Sequence, residues 1–253
     1  MKIVLLGSGN VATHLAKELF KAKHCIVQVY SRRLDNAELV AKELEAKAVC
    51  QLDELDADAD LYIVSVKDDA LSEVINNMPL VNGLVVHTAG SVGMNALSRF
   101  TNFGVFYPFQ TFTKEAQLDF SNIPVLVESN SDATTNLLIN LGRTLSKVVL
   151  KADSEQRGKL HIAAVFACNF VNHMYCLADE LLKSNQLPFD LLHPLIMETA
   201  IKVQKASPTT TQTGPASRKD KKIIDKHQQL LHDKDELSEI YSLLTDSILK
   251  RVK

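Results

Sequence analysis

The sequence predicts an α/β protein: an N-terminal doubly wound Rossmann sheet followed by an all-α C-terminal domain. Three observations carry this reading. Short apolar runs alternate with helical segments as far as Leu150. From Asp153 onward the apolar spacing is helical only. And the opening run of residues 3–6 passes without a gap into Gly7-Ser8-Gly9-Asn10-Val11-Ala12, after which Val11, Leu15 and Leu19 recur at helical spacing. The domains are placed at 1–152 and 153–253.

The strand, glycine turn and helix give the G-x-G-x-x-G/A pattern the context it needs to indicate dinucleotide binding rather than an ordinary tight turn. Gly7 permits the turn, Gly9 lets the backbone approach a pyrophosphate, and Ala12 packs the helix on the strand. Ser8, Asn10 and Val11 complete the phosphate cradle, with the positive end of the helix dipole behind it. Residues 25–30 form the second strand, and Ser31-Arg32-Arg33 stands where NAD-selective folds carry an acid for the ribose 2′-OH. A hydroxyl and guanidinium groups suit a 2′-phosphate, which favours NADP; at least one of the two arginines is expected to be merely solvated.

Residues 34–45 read as a helix, 48–49 as a third strand and 61–66 as a fourth, ending in Lys67-Asp68-Asp69. Ser65 to Asp68, with Val66 and Lys67 among them, should border the cofactor cleft; for Asp68 and Asp69 helix capping is at least as strong a reading as a ligand role. Residues 84–86 are the fifth strand, with His87 and Thr88 at its carboxyl end. Residues 104–113 supply a sixth strand and a pocket wall whose aromatics are expected to be mostly core. Two further strands, at 124–128 and 148–150, flank a helix at 133–145.

Helices are expected at 154–184, 191–205, 219–232 and 235–251. The first, apolar but broken by polar residues, is a poor membrane span and reads as a buried helix. His161, Val165, Cys168, Asn169, Asn172 and Asp179 fall on one side of it at helical spacing. Its polar groups either satisfy one another in a bundle or dimer contact, or line a cleft and face substrate. Both readings stay open for Asn172 and His173, while the cleft is preferred for His161 and Asn169. The polar loop at 206–220 offers Thr213, Gly214, Pro215 and Arg218 to a carboxylate or phosphate; Asp220 reads as a cap and Glu198–Lys202 as a surface ion pair.

The net charge of −2 gives no reason to expect nucleic acid or an anionic membrane as partner. Cys25, Cys50, Cys168 and Cys176 lack metal-ligand spacing and read as reduced packing residues, so no metal is expected. No export signal is recognised at the start, which points to the cytoplasm.

The motifs GSGNVA, SRR, HTAGS, GVFYPFQTFT, LHIAAVFACNFVNH and QTGPASRKD together resemble a bacterial family of Rossmann-type NADP oxidoreductases with an all-helical C-terminal domain. More distantly the chain resembles pyrroline-5-carboxylate reductase, F420-dependent NADP oxidoreductase and the 6-phosphogluconate dehydrogenase group. The resemblance implies a homodimer through the helical domain, with a small-molecule substrate between the domains, and admits F420 as a less favoured cofactor. It does not carry over the Lys/Asn pair of β-hydroxyacid dehydrogenases: Val165 precedes Asn169 and Cys168 precedes Asn172 at that spacing. His161, two turns before Asn169, is then the best acid/base on the helix, with Asn169 as its catalytic companion and His87 as second candidate. The reading is an NADP(H)-dependent oxidoreductase passing hydride between nicotinamide and a small carbonyl, imine or alcohol. The alternative is a non-catalytic NADP-binding redox sensor or interaction module.

Overall fold

The computed structural model describes residues 1–113 and 118–252. Among these, eight strands form one sheet: β1 (Lys2–Leu6), β2 (Cys25–Tyr30), β3 (Lys47–Val49), β4 (Leu61–Val64), β5 (Leu84–His87), β6 (Phe103–Pro108), β7 (Val125–Ser129) and β8 (Val149–Lys151). The order is β3-β2-β1-β4-β5-β6-β7-β8. The first six strands run parallel, β7 is antiparallel to β6, and β8 is parallel to β7. The chain reverses direction of growth between β1 and β4, so a crevice opens at their carboxyl ends.

Helices α1 (Asn10–Lys21), α2 (Leu34–Glu43), α3 (Asp68–Asn77) and α4 (Asp132–Arg143) cover the sheet. The unbroken apolar runs of β1 and β4 are explained by burial on both faces. Ile3, Leu5 and Ile63 pack with Leu15 and Leu19 of α1 on one side. Val4, Leu6 and Val64 pack with Leu71 and Val74 of α3 on the other.

The expected long helix is present as α5 (Ser154–Ala164) and α6 (Phe170–Lys183), joined by a π turn at Val165–Asn169. That turn interrupts the 3.6-residue period on which the one-sided alignment from His161 to Asp179 rested. Although the last strand ends at Lys151, the chain divides into compact units at Met1–Cys168 and Asn169–Lys253. The reason is local: α5 is tied to the sheet by its Arg157, described below.

The second unit contains α6, α7 (His193–Lys205), α8 (Pro208–Thr211), α9 (Lys221–Leu230) and α10 (Asp235–Leu249). The single turn α8 lies inside the stretch expected to be loop throughout, with Pro208 at its first position. Asp220 does cap α9, accepting from the Ile223 N–H, and Glu198 and Lys202 do pair at 3.3 Å.

The expectation of a buried long helix is corrected. Among the described residues of α5 and α6, only Arg157 and Leu177 are buried; the others are half-buried or exposed. Cys25, Cys168 and Cys176 are likewise exposed rather than packed, and the cysteines are free thiols. By length and composition alone, Ser154–Lys183 is also long and apolar enough to cross a membrane.

Candidate functional site

The turn after β1 is built so that only glycine fits. Gly7 adopts φ +132°, and a Cβ there would lie 2.1 Å from the Ser65 carbonyl oxygen at the end of β4. Its N–H donates to the Tyr30 carbonyl at 2.8 Å, drawing the ends of β1, β2 and β4 together. Gly9 begins α1 with no side-chain cap, and nothing stands within 4 Å of where its Cβ would be. The helix N–H groups thus face open space, the arrangement an anionic diphosphate requires. Asn10 is partly committed elsewhere: its amide donates to the Phe112 carbonyl at 2.9 Å. His14 adds a bond to the Thr113 carbonyl at 2.8 Å, so the strand-end segment is strapped to the first turns of α1.

This turn opens into a cleft of about 790 Å³, the size of a small-molecule site. All the residues expected to meet the nucleotide line it: Gly7, Ser8, Gly9, Asn10, Val11, Ser31, Arg32, Arg33, Val66, Lys67 and Thr88. Toward β2, the Ser8 hydroxyl donates to that of Ser31 at 3.1 Å. The two arginines differ. Arg33 is exposed and forks onto Asp35 at 2.5 and 3.2 Å, holding that carboxyl below its usual pKa. Arg32 lines the cleft and has no ion pair or hydrogen bond among the described residues. One of the pair is therefore engaged at the surface and the other available.

At the β4–β5 end, Thr88 donates to the Ser65 hydroxyl at 2.8 Å in buried surroundings. The capping role for Asp68 and Asp69 is corrected: Lys67 is the N-cap, and both acids sit in the first turn of α3, where the helix dipole favours them. Asp68 accepts instead from the Ser91 hydroxyl and lines the cleft.

His161 from α5 also lines this cleft, and its Nδ1 lies 3.3 Å from the Tyr107 hydroxyl at the end of β6. A network one turn earlier fixes α5 there. The buried Arg157 pairs with Glu128 of β7 at 2.6 Å and donates to the Val92 carbonyl at 2.6 Å. Ser154 donates to Glu128 at 2.8 Å and accepts from the Met94 N–H at 3.0 Å. Asp153 and Gln156 close a capping box around the helix start.

His87, the second catalytic candidate, is not brought into the cleft. It is fully buried, and its Nδ1 accepts from the Ala89 N–H at 3.2 Å. Burial, and then the Arg157 charge, lower its pKa to about 4, so it is neutral at physiological pH. The end of a strand does point toward the cleft, but this side chain turns back into the packing.

On the helical unit, Asn169, Asn172, Thr213 and Arg218 are exposed, and Gly214 and Pro215 are half-buried. Gly214 takes φ +105°, which explains the glycine at that turn.

Tyr107 was absent from the sequence-derived site. Its aromatic run reads as core, and Phe106 beside it is indeed fully buried. Strand alternation puts Tyr107 on the opposite face, at the carboxyl end of β6, and that was the available signal. Gly90, one of the small residues following β5, makes room for this pair. A Cβ there would meet the Tyr107 hydroxyl at 2.7 Å and His161 Nδ1 at 2.8 Å.

Residues 2–90 match the family model described as NADP oxidoreductase, coenzyme F420-dependent, and residues 123–248 match a domain of unknown function, DUF2520. Among curated proteins none matches. A Bacteroides fragilis protein that carries the provisional name of an NADP oxidoreductase is 46% identical over 98% of each chain, with a TM-score of 0.90. A Thermotoga maritima protein is 19% identical over 99% of this chain and 98% of its own, TM-score 0.78. An Aspergillus terreus reductive aminase, solved with NADPH4, cyclohexanone and allyl amine, is 15% identical over 99% of this chain and 93% of its own, TM-score 0.71. The last two show the shared fold. With nearly half its residues identical to the Bacteroides protein along almost the whole length, the chain belongs to the same family of Rossmann-type NADP oxidoreductases with a DUF2520 C-terminal domain.

Proposed function

We propose that the protein is an NADP(H)-dependent oxidoreductase that moves hydride between nicotinamide and a small carbonyl, imine or alcohol. The observation that supports this best is the cleft itself. It joins a glycine-only turn and an uncapped helix start to an unengaged guanidinium at one end and a tyrosine–histidine pair at the other.

The roles follow from chemistry. Gly7 to Val11 take the diphosphate on backbone N–H groups. Ser31 and Arg32 take the 2′-phosphate, and Arg33, bound to Asp35, contributes general positive charge. Val66, Lys67 and Thr88 border the nicotinamide ribose. When bound, the nucleotide supplies the hydride; the protein orients it and manages the proton. His161 is the acid/base, its imidazole within reach of the Tyr107 hydroxyl in the cleft. Asn169, Asn172, Thr213, Gly214, Pro215 and Arg218 offer amide, hydroxyl, backbone and guanidinium groups for substrate on the helical unit. The F420 of the family description has no residue-level support in the cleft, and NADP is the cofactor proposed. A tyrosine–histidine pair in the cleft favours chemistry over the alternative of a silent redox sensor.

The exposed apolar residues Leu191, Leu195 and Met197 fit burial against a second copy of the chain, in keeping with a cytoplasmic homodimer. A membrane-inserted Ser154–Lys183 fits less well, since Arg157 within that helix is engaged with Glu128 of the sheet.

NADPH and NADH titration, followed by a screen of carbonyls and imines for loss of nicotinamide absorbance, tests the reading. Turnover should fall about a hundredfold or more in His161→Ala, the size of a lost acid/base, without loss of folding by circular dichroism. Binding of NADPH with no turnover of any substrate would favour the sensor instead.

A further inference from the structure

We propose that Tyr107 is the group that delivers the proton to the substrate heteroatom, with His161 resupplying it from solvent. This rests on the oxidoreductase reading above and names the residue within the same cleft that touches substrate.

Three features of the site converge on this assignment. The Tyr107 hydroxyl and His161 Nδ1 are 3.3 Å apart, within reach of a shared proton. The pair lies directly against Gly90, whose missing Cβ is what lets both polar atoms approach the backbone at the carboxyl end of β5. That edge of a doubly wound sheet is where a ligand's reactive end is held. Both side chains are half-buried, so the pair borders solvent as well as the cleft and His161 can exchange its proton with water.

The surroundings favour a phenol over a phenolate. Burial, and next the Asp68 carboxylate, push the Tyr107 pKa up, with Arg157 opposing. The hydroxyl therefore carries its proton at neutral pH and acts as donor. Asp68 of α3, and Arg157 and His161 of α5, are the ionisable groups facing it.

In the reductive direction the balance is simple. The C=O or C=N carbon accepts hydride from the reduced nicotinamide nucleotide, and the π pair moves onto oxygen or nitrogen. That atom takes the Tyr107 proton, His161 returns a proton to the phenolic oxygen, and water reprotonates the imidazole. One proton is consumed per turnover, and the nucleotide is the only species oxidised.

A purely structural role for the Tyr107–His161 bond is hard to support, because α5 is already docked without it. Arg157, Ser154 and the Asp153 capping box hold the helix to Glu128, Val92 and Met94 one turn earlier. Removing the phenolic oxygen should therefore leave the helix in place.

The test is Tyr107→Phe in the full-length protein. NADPH affinity by fluorescence titration and the melting temperature should match the wild type. With 2-methyl-1-pyrroline and cyclohexanone as probes, kcat should fall at least about a hundredfold while KM changes little. Independently of any substrate, the imidazole nitrogen NMR resonances of His161 in the NADPH complex should move in the variant, as expected when a hydrogen-bond partner is lost. Wild-type turnover in Tyr107→Phe, or unmoved His161 resonances, overturns the assignment. Parallel losses of kcat, nucleotide affinity and melting temperature would also overturn it, in favour of a structural contact. Failure of the wild type to bind NADPH at all would sink the oxidoreductase reading from which this one is built.

Discussion

The sheet unit and the helical unit treat apolar surface in opposite ways. In the sheet unit, Ile3, Leu5, Leu61 and Ile63 are wholly removed from solvent, and neighbouring glycines exist to let backbones and side chains meet. In the helical unit, Leu195 and Met197 stay more than 60% exposed, and the buried apolar residues there are Leu177, Ala216 and Leu231. At about 25 cal/mol per Å² of apolar surface removed from water, the first unit is stabilised from within its own chain. The second exposes the kind of surface that is ordinarily covered by another molecule. The difference separates the two proposals: nucleotide recognition rests on the sheet unit, and pairing with a second copy rests on the helical one.

That division can be broken at Gly7. Gly7→Ala places a methyl 2.1 Å from the Ser65 carbonyl at a backbone angle that alanine avoids. Strain of about 1–3 kcal/mol plus the displaced turn should cut NADPH affinity at least about a hundredfold, while the molecular mass in solution is unchanged. Binding within threefold of wild type would mean that the turn does not hold the diphosphate.

A second expectation concerns acid. His87 has a folded pKa of about 4, below the 6.5 of an exposed histidine, so as pH falls the unfolded chain takes up a proton before the folded one does. The stability conferred by keeping His87 neutral is complete above about pH 6.5 and is lost progressively toward pH 4, by up to about 3 kcal/mol. Urea unfolding across that range should show a flatter pH dependence in His87→Gln. Identical slopes would place the acid sensitivity elsewhere.

Smaller in free energy, but aimed at the other unit, is the double substitution Leu195→Glu with Met197→Glu. Light scattering should report halved mass, with NADPH affinity within threefold of wild type. A wild-type mass near that of one 28.0 kDa chain would remove the second copy from the account, and detergent-dependent recovery would point to a membrane instead.

The glycine turn was legible in the sequence because each of its requirements is local. A strand, a turn that admits only glycine and a helix start lie within Lys2 to Lys21, and Ser31-Arg32-Arg33 follows the next strand directly. Which arginine stays available was not legible, since it depends on Asp35 reaching back to Arg33. The reactive end was harder still. His87 and Tyr107 both end strands at the same edge, and only side-chain direction separates the buried imidazole from the phenol in the cleft. The burial of the Ser154–Lys183 helix was misjudged for a further reason: apolar pattern reports that a face seeks cover, and the single chain does not provide it.

The central claim is that one cleft, within residues 7–161, binds NADP(H) through the glycine turn and Arg32. Calorimetric titration of the wild type and of Arg32→Ala with NADPH and NADH tests it most directly. The account predicts one NADPH per chain, preferred over NADH at least about tenfold, with that preference lost in Arg32→Ala, as one charge-assisted contact to a phosphate warrants. Absence of saturable binding by either nucleotide, or an equal preference in the variant, would contradict it.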